Sequence, residues 1–193
     1  MNPPKITSTG SWLYTTDVQD DSRYLCKETA KIIANVVTTL SKTKTLLDFG
    51  CGTGYYLGYI DEITNKSLDL SGFEPEIQRE NLFFNNILKQ DLTQPFQVNP
   101  GNAMCIEVLE HIPKEYEHIA VDNIVKNCND YLFISWARIG QSGHGHVNCK
   151  NKKDVIALFE SKKFLLQKDI TEQLQRSAKF GSLKNNLLCF KKD

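Results

Sequence analysis

The sequence predicts one α/β domain in which helices cover both faces of a mostly parallel β-sheet. Short apolar segments alternate with segments of helical periodicity from residue 45 to residue 161, a pattern typical of strands buried on both faces of a parallel sheet. A glycine-rich turn lies directly between the first of these strands and the following helix. The chain has 193 residues, of which 40% are hydrophobic, so we expect a single core and a single domain over 1–193.

The elements can be assigned in order along the chain. Residues 1–22 form a polar arm whose aromatic side chains are Trp12 and Tyr14, and we interpret this arm as a candidate lid. Apolar residues at helical spacing predict a helix over 26–40. The predicted strands are 45–49, 68–74, 84–88, 103–107, 131–136, 164–168 and 187–191, and the predicted helices between them end near 63, 82, 126 and 161. No helical pattern separates the last two strands, so we expect an antiparallel closing pair.

Composition argues against several kinds of partner and location. Lys plus Arg and Asp plus Glu both number 23, so the overall charge does not favour a nucleic-acid partner. No apolar run approaches the roughly 18 residues that a membrane span requires, and the N-terminus lacks a signal-peptide pattern. The six cysteines include no C-x-x-C pair. We therefore expect reduced thiols, no membrane partner and a cytoplasmic location.

Charge is unevenly distributed along the chain. Residues 149–193 carry 11 basic and 5 acidic side chains, whereas the rest of the chain is more acidic. One interpretation of this excess is a set of solvated surface lysines, and the other is a docking surface for an anionic substrate.

The turn after the first strand has the spacing of a nucleoside-binding loop. It reads Asp48-Phe49-Gly50-Cys51-Gly52-Thr53-Gly54, and its glycines allow a tight turn and a close approach of a ligand to the helix N-terminus. A dinucleotide-binding loop has the spacing G-x-G-x-x-G, whereas the third glycine here comes one residue earlier. At the end of the second strand, Glu74 precedes Pro75 and can accept hydrogen bonds from both ribose hydroxyls of a nucleoside.

These residues resemble the class I S-adenosylmethionine (SAM)-dependent methyltransferases over residues 45–136. The resemblance implies a Rossmann-like sheet of seven strands that is mostly parallel, with an antiparallel closing strand. It also implies that Asp48 orients the methionine amino group, that Glu74 holds the ribose, and that Asp91-Leu92 meets the adenine. The residues expected to contact SAM are Asp48, Gly50, Cys51, Gly52, Gly54, Glu74, Pro75, Asp91, Leu92 and Glu107.

A second motif, Glu107-Val108-Leu109-Glu110-His111, follows the fourth strand. If a helical turn begins there, Glu107, Glu110 and His111 share one face. Two carboxylates and an imidazole at one point can bind a hard divalent ion or supply a general base. In the metal-free interpretation, the Glu110-His111 pair contributes only packing and contacts to the edge of the cofactor.

Two further histidines lie just past the fifth strand, in Gly143-His144-Gly145-His146. We expect them at the carboxyl-terminal rim of the sheet, where ligands bind in this class of fold. With the previous motif they resemble two groups of metal-using O-methyltransferases. One group acts in ubiquinone biosynthesis and carries an E-x-x-E-H run. The other methylates the terminal 2′-hydroxyl of small RNAs and adds a distant histidine ligand.

That resemblance implies a metal held by Glu107, Glu110, His111 and a fourth ligand, His146 or His144. It does not imply an RNA substrate, because the other motifs of the RNA enzymes are absent. The segment 143–148, together with the ending 185–188, is more similar to small methyltransferases of bacteria and bacteriophages.

We therefore predict an O-methyltransferase that acts on a hydroxyl of a small molecule, a glycan or a nucleic-acid terminus, with Mg²⁺ or Mn²⁺ as candidate ions. The candidate catalytic residues are Glu107, His111, His144 and His146. In one alternative the enzyme is metal-free and His144 or His146 is the general base. In the other, the protein binds SAM without turnover and regulates a partner.

Two further features bear on the acceptor. No D/N-P-P-F/Y motif follows the fourth strand, which argues against methylation of an exocyclic base amine. Trp136 and Arg138 come just after the fifth strand, so we expect them at the acceptor pocket, with packing in the core as the alternative for Trp136.

Overall fold

The structure, a computed structural model, describes residues 5–13, 25–77 and 82–193. Its strands are β1 (Lys5–Ile6), β2 (Trp12–Leu13), β3 (Thr45–Phe49), β4 (Asp69–Glu74), β5 (Ile87–Lys89), β6 (Gly101–Cys105), β7 (Cys128–Ile134), β8 (Phe164–Leu166) and β9 (Leu188–Lys192). Its α-helices are α1 (Lys27–Asn35), α2 (Tyr55–Ile63), α3 (Glu117–Asn127), α4 (Lys152–Ser161), α5 (Lys168–Ser177) and α6 (Gly181–Asn186).

Strands β3 to β9 form a seven-stranded sheet in the order β5-β4-β3-β6-β7-β9-β8. The pairs among β5, β4, β3, β6 and β7 are parallel, and β9 is antiparallel to both β7 and β8. The predicted fold class is confirmed, including the antiparallel closing strand. Strand order reverses between β3 and β6, and crevices at such a reversal are where ligands bind in open α/β sheets.

Alternate residues of the strands face two apolar clusters, one on each face of the sheet. Leu47 and Phe49 of β3 pack in the cluster that contains α3 and α4, whereas Leu46 packs in the cluster that contains α1, α2 and α5. Side chains alternate between faces along a strand, so one short apolar strand contributes to both cores.

Two segments differ from the sequence prediction. The predicted helix over 26–40 is α-helical only to Asn35 and continues as a π-helical turn, Val36–Leu40, in which the hydroxyl of Thr39 donates to the carbonyl of Asn35 (2.6 Å). Such side-chain bonds compete with the regular backbone ladder. The short helix predicted near 77–82 lies mostly on 78–81, which are outside the described residues.

The expectation of no helix between the last two strands is wrong, because α5 and α6 lie between β8 and β9. Only two of the ten residues of α5, Ile170 and Leu174, are large and apolar, so the segment is too polar to stand out as a helix although its residues have helical spacing. All six thiols are free, as expected from their spacing. No helix in the described ranges is long and apolar enough to cross a membrane.

Candidate active site

The glycine turn joins β3 to α2 at the carboxyl edge of the sheet. Gly50, Gly52 and Gly54 have positive φ angles of 80°, 55° and 84°, a conformation that glycine adopts without steric cost. The amide of Gly50 donates to the carbonyl of Phe73 at the end of β4 (2.8 Å). A Cβ at Gly50 would lie 2.5 Å from a methyl carbon of Val108, so the connection after β6 packs directly on this turn.

Two buried carboxylates flank the turn. Glu74, the last residue of β4, accepts a hydrogen bond from the backbone N–H of Gly52 (3.0 Å). Asp48 is buried in β3, and burial, followed by the charge of Glu74, raises its pKa well above the ordinary value. A ligand that brings a positive charge beside Asp48 would offset this cost.

Asp91 and Leu92 follow β5 and close the same edge. One carboxylate oxygen of Asp91 accepts from both the amide and the hydroxyl of Thr93 (2.8 Å each). These bonds form a tight turn that places Leu92, which is buried, beside the ends of the neighbouring strands.

A cavity of about 550 Å³ connects these residues to the histidines. Pockets for drug-sized ligands have volumes of roughly 300–1,000 Å³. Among the residues predicted to contact SAM, the cavity wall contains Asp48, Gly50, Cys51, Gly52, Glu74, Pro75, Asp91, Leu92 and Glu107. Gly54 is not part of the wall. His111, His144 and His146 line the other end, so residues from both predicted motifs share one cavity.

Glu107 has an unusual backbone conformation and a specific partner. Its φ is 56°, which is uncommon for a residue with a side chain and is found preferentially at functional sites. Its backbone N–H donates to the hydroxyl oxygen of Ser135 (2.7 Å), and that hydroxyl donates to a Glu107 carboxylate oxygen (2.8 Å). The expected helical turn therefore does not begin at Glu107, because a left-handed residue interrupts it.

Glu110 is fully buried, and neither of its carboxylate oxygens has a hydrogen-bond partner of good geometry among the described residues. Burial, followed by the charge of Glu107, raises the pKa of Glu110 to about 8, against a smaller opposing effect of the backbone N–H groups of Glu110 and Ala137. A buried polar group without a good partner requires a specific explanation. A proton on the carboxyl group or a bound cation would each offset the cost of burying it.

Three side chains converge around Glu110. Ligand atoms of Glu110, His111 and His146 lie within 4.8 Å of one another. Glu107 and His144, also predicted as ligands, are not in this group. Burial and nearby imidazoles lower the pKa of His111 to about 4, so its ring is neutral at pH 7, the form that binds a metal.

Backbone carbonyls orient both imidazole rings. Nδ1 of His111 lies 3.2 Å from the carbonyl oxygen of Gly145, and Nδ1 of His146 lies 3.3 Å from that of Gln141. When Nδ1–H donates to a carbonyl, the lone pair on Nε2 is left for an ion or a proton. The arrangement therefore suits either metal binding or acid–base chemistry.

The histidine loop, residues 138–150, is held against the Glu110 segment by its backbone. The amides of Val147 and Asn148 both donate to the carbonyl of Glu110 (2.9 and 3.0 Å). Gly143 leaves room for the ring of His146, since a Cβ at Gly143 would lie 2.2 Å from it. Gly143 thus accommodates a side chain of the site itself.

Trp136 and Arg138 do not line the cavity, so the expectation that they form the acceptor pocket is wrong. Trp136 is buried and its indole N–H donates to the carbonyl of Asn148 (2.6 Å). Arg138 is exposed. The chain after β7 therefore turns Trp136 beneath the histidine loop, where it supports the loop from the core.

The N-terminal hairpin, residues 5–13, reaches the histidines. The ring of Trp12 makes edge-on contacts with the rings of His111 and His144, with centroids 5.2 and 5.9 Å apart. Trp12 also lines the cavity. Tyr14, the other aromatic residue of the arm, lies outside the described residues.

Several cavity residues carried no signal in the sequence. Tyr56 comes from α2, and Ser182 and Leu183 come from α6, which the sequence analysis did not predict. Phe180 lies between α5 and α6 and also lines the cavity. Phe180, Ser182 and Leu183 are distant in the chain from the glycine turn, and β9, which follows α6, lies next to β7 in the sheet, so no local motif could identify them.

No protein-family model and no curated protein matches the sequence, but solved structures match its fold. Magnesium protoporphyrin IX methyltransferase from Synechocystis PCC 6803, with bound SAM, superposes with a TM-score of 0.61 at 16% identity, over 93% of this chain and 86% of that chain. The 1,6-didemethyltoxoflavin-N1-methyltransferase of Burkholderia thailandensis superposes with a TM-score of 0.58 at 12% identity, over 91% of this chain and 84% of that chain. The chain has the class I methyltransferase fold.

An O-methyltransferase family protein from Burkholderia thailandensis has the same fold, with a TM-score of 0.57 at 11% identity over 93% of this chain and 60% of that chain. In this methyltransferase fold, the cavity lies at the carboxyl ends of β3, β4 and β6. That position agrees with the ligand-binding edge expected for open α/β sheets.

Proposed function

We propose that this protein is a SAM-dependent methyltransferase that methylates a hydroxyl of a small molecule. One observation carries the proposal: a single cavity runs from the glycine turn, past Glu74, to the three histidines. A cofactor and an acceptor in one cavity can be aligned for direct transfer, and good alignment lowers a reaction barrier by about 7–11 kcal/mol.

The cofactor half of the cavity is acidic. Asp48 is the proposed partner of the methionine ammonium group, whose charge stabilises the ionised form of this buried carboxylate. Glu74 is the proposed acceptor for the ribose hydroxyls, and Asp91 with Leu92 is proposed to meet the adenine. The bound SAM of one methyltransferase of the same fold supports this choice of cofactor.

The acceptor is proposed to carry no phosphate. No Lys or Arg lines the cavity among the residues that the structure describes, whereas phosphate groups are recognised chiefly by such side chains. The charged residues of the wall are Asp48, Glu74, Asp91 and Glu107. Two proteins of the same fold are named for small-molecule acceptors, magnesium protoporphyrin IX and 1,6-didemethyltoxoflavin. A small molecule is therefore favoured over a glycan or a nucleic-acid terminus.

A divalent ion fits the donor set of Glu110, His111 and His146. The unpartnered carboxylate oxygens of Glu110 supply a negative charge, and two imidazoles suit transition ions more than Mg²⁺. We therefore favour Mn²⁺ over Mg²⁺. When bound, such an ion lowers the pKa of a nearby hydroxyl.

The proposed reaction is a displacement at the methyl carbon. The acceptor oxygen bonds to the methyl group, the bond from methyl to the SAM sulfur breaks, and its electron pair stays on sulfur to give S-adenosylhomocysteine (SAH). His144 lines the cavity outside the group of three and is our candidate to accept the hydroxyl proton, a role worth roughly 10²–10⁴-fold in rate. Glu107, held by Ser135, can orient the hydroxyl by accepting its hydrogen bond.

The test is a calorimetric titration of SAH, followed by Mn²⁺ or Mg²⁺, into the purified protein. We expect SAH binding in all variants and Mn²⁺ binding that Glu110→Ala and His146→Ala abolish. In Gly143→Ala the new Cβ displaces the His146 ring, so Mn²⁺ affinity should fall by at least about tenfold. Gly181→Ala is the matched control, because a Cβ at Gly181 meets nothing within 4 Å.

Each other outcome points to a defined alternative. Absence of SAH binding would contradict the methyltransferase proposal. SAH binding without Mn²⁺ binding would favour the metal-free enzyme with His144 or His146 as base, whose activity survives chelation. SAM binding without product from any acceptor would favour a regulatory protein.

A further inference from the structure

The N-terminal hairpin touches the histidines through its backbone as well as through Trp12. Gly10 has a φ of 91°, and a Cβ there would lie 2.1 Å from the carbonyl oxygen of His111. In the histidine loop, a Cβ at Gly145 would lie 2.3 Å from Cδ1 of Ile6, a residue of the hairpin. Two glycines without room for a side chain therefore mark the contact between the hairpin and the histidine segments.

The hairpin has little sheet structure of its own to hold it in place. Its strands contain two residues each, and among the described residues they pair only with each other. The turn between the strands is tight. The amide of Ser11 donates to the hydroxyl oxygen of Thr7 (3.0 Å), and the amide of Gly10 donates to the carbonyl oxygen of Thr7 (3.1 Å). Because a two-stranded hairpin alone is marginally stable in water, packing on the histidine segments has to contribute to its position.

We propose that this hairpin forms one side of the metal centre. In this proposal Trp12 is a positioning residue, whose ring holds the imidazoles of His111 and His144 in place. The inference rests on the proposed metal site at Glu110, His111 and His146. The carbonyl of Gly145 and the ring of His146, whose centroid is 5.0 Å away, both contact the His111 ring, and the edge-on contact with Trp12 further restricts rotation of its plane. Edge-to-face aromatic pairs of this kind contribute beyond their buried area.

Trp12 also lines the cavity, where its indole lies beside His144. His144 itself remains exposed to solvent, so this contact positions the imidazole at the cavity wall without burying it.

The contact itself is testable in the metal-free protein by NMR of the four histidine rings. Trp12→Ala should shift the ring-proton signals of His111 and His144, because the indole no longer lies beside them. His118 is exposed on α3 and serves as the internal control. Unchanged His111 and His144 signals would overturn the inference whatever the protein binds.

The functional step is tested by calorimetry with SAH-loaded protein and Mn²⁺ as the probe. Trp12→Ala should weaken Mn²⁺ affinity by about tenfold, the lower end of the effect of groups that orient metal ligands, and SAH affinity by a clearly smaller factor, because the ring contacts of Trp12 in the cavity are with His111 and His144. Trp12→Phe keeps an aromatic edge and should retain affinity close to wild type. Leu13→Ala, in the same strand and with Leu13 37% exposed, should have no effect.

The outcomes separate this inference from the proposal on which it rests. If the wild type fails to bind Mn²⁺, the proposed metal site is contradicted, and so is the role of Trp12 in positioning its ligands. If the wild type binds Mn²⁺ and Trp12→Ala binds it equally well, only the role of the hairpin is overturned. Equal losses of SAH and Mn²⁺ affinity would also overturn it, since they would indicate a general loss of structure.

Discussion

Glu107 and Glu110 stand three residues apart, yet their carboxylates have different surroundings. Glu107 receives a hydrogen bond from Ser135, whereas neither oxygen of Glu110 has a partner among the described residues. The left-handed backbone at Glu107 separates the two side chains by breaking the helical turn that would align them. A motif that looks like a pair of equivalent ligands is therefore one oriented carboxylate and one buried candidate ligand.

Glu110→Gln is expected to flatten the dependence of stability on pH in the metal-free protein. The pKa of Glu110 is about 8 in the folded protein against an ordinary value of 4.5, so the folded state keeps a proton that the unfolded state releases. The contribution of this proton to wild-type stability is then full below pH 4.5 and is lost by about pH 8, a change of a few kcal/mol at about 1.4 kcal/mol per pKa unit. Glutamine does not titrate in this range.

Urea unfolding in the presence of a chelator, repeated across this pH window, measures the effect. Glu160→Gln is the control, because Glu160 is exposed on α4 and its replacement should leave the wild-type profile unchanged. A Glu110→Gln profile parallel to that of the wild type would contradict the assignment of this proton to Glu110.

At the scale of elements, the histidine loop is anchored from two sides. Val147 and Asn148 bind the carbonyl of Glu110, and the side-chain amide of Asn148 donates to Glu117 at the start of α3 (2.9 Å). Lys150 forms an ion pair with the same glutamate (3.0 Å). The loop connects β7 to α4 and is fixed through α3, so His146 meets Glu110 in a defined geometry.

Trp136→Phe tests the support of this loop from the core. The substitution removes the indole N–H that binds the buried Asn148 carbonyl (2.6 Å), and losing the partner of a buried group costs about 1–3 kcal/mol. Denaturant unfolding should show this loss, and the Val147 and Asn148 amides should exchange hydrogen faster. Leu40→Ala is the control, because Leu40 is 53% exposed, and it should stay within about 0.5 kcal/mol of wild type. Equal stability of wild type and Trp136→Phe would show that the indole does not support the loop.

On the scale of the whole molecule, the sheet brings together segments that are distant in the chain. Residues from the hairpin, the glycine turn and α6 line one cavity, and α6 is followed by β9, which lies between β7 and β8. Apolar clusters lie on both faces of this one sheet, so we infer that the chain folds as one domain. A ligand in the cavity should therefore stabilise the fold as a whole.

SAH at 100 times its dissociation constant is expected to raise the free energy of unfolding by about 2.7 kcal/mol, as for any ligand that binds only the folded state. Thermal unfolding with and without SAH measures the shift. NAD⁺ is the control, because the G-x-G-x-G turn lacks the spacing of a dinucleotide-binding loop. A shift with NAD⁺ and none with SAH would contradict the proposed cofactor.

Much of the fold follows from local sequence patterns. The strand Thr45–Phe49, the turn after it and the helix Lys152–Ser161 were predicted at their observed positions. The helix α5 was missed because only Ile170 and Leu174 among its ten residues are large and apolar. A segment that polar resembles an exposed loop in composition, even though its residues have helical spacing.

The candidate site was predicted less completely. The motifs located the glycine turn, the acidic residues beside it and the histidines, which line one cavity, but the equal treatment of Glu107 and Glu110 assumed a helix that the backbone does not form. Trp136 was expected beside the acceptor, and it packs beneath the loop instead. The positions of side chains after a strand depend on a few backbone angles, which residue spacing does not specify.

The sequence by itself determined the parallel sheet and the glycine turn, because periodicity and backbone freedom are local properties of the chain. Only the tertiary structure decided which of the candidate ligands converge, that Trp12 contacts His111 and His144, and that α6 completes the cavity. Those contacts join residues far apart in the chain. They depend on how both faces of the sheet are buried at once, which no short stretch of sequence encodes.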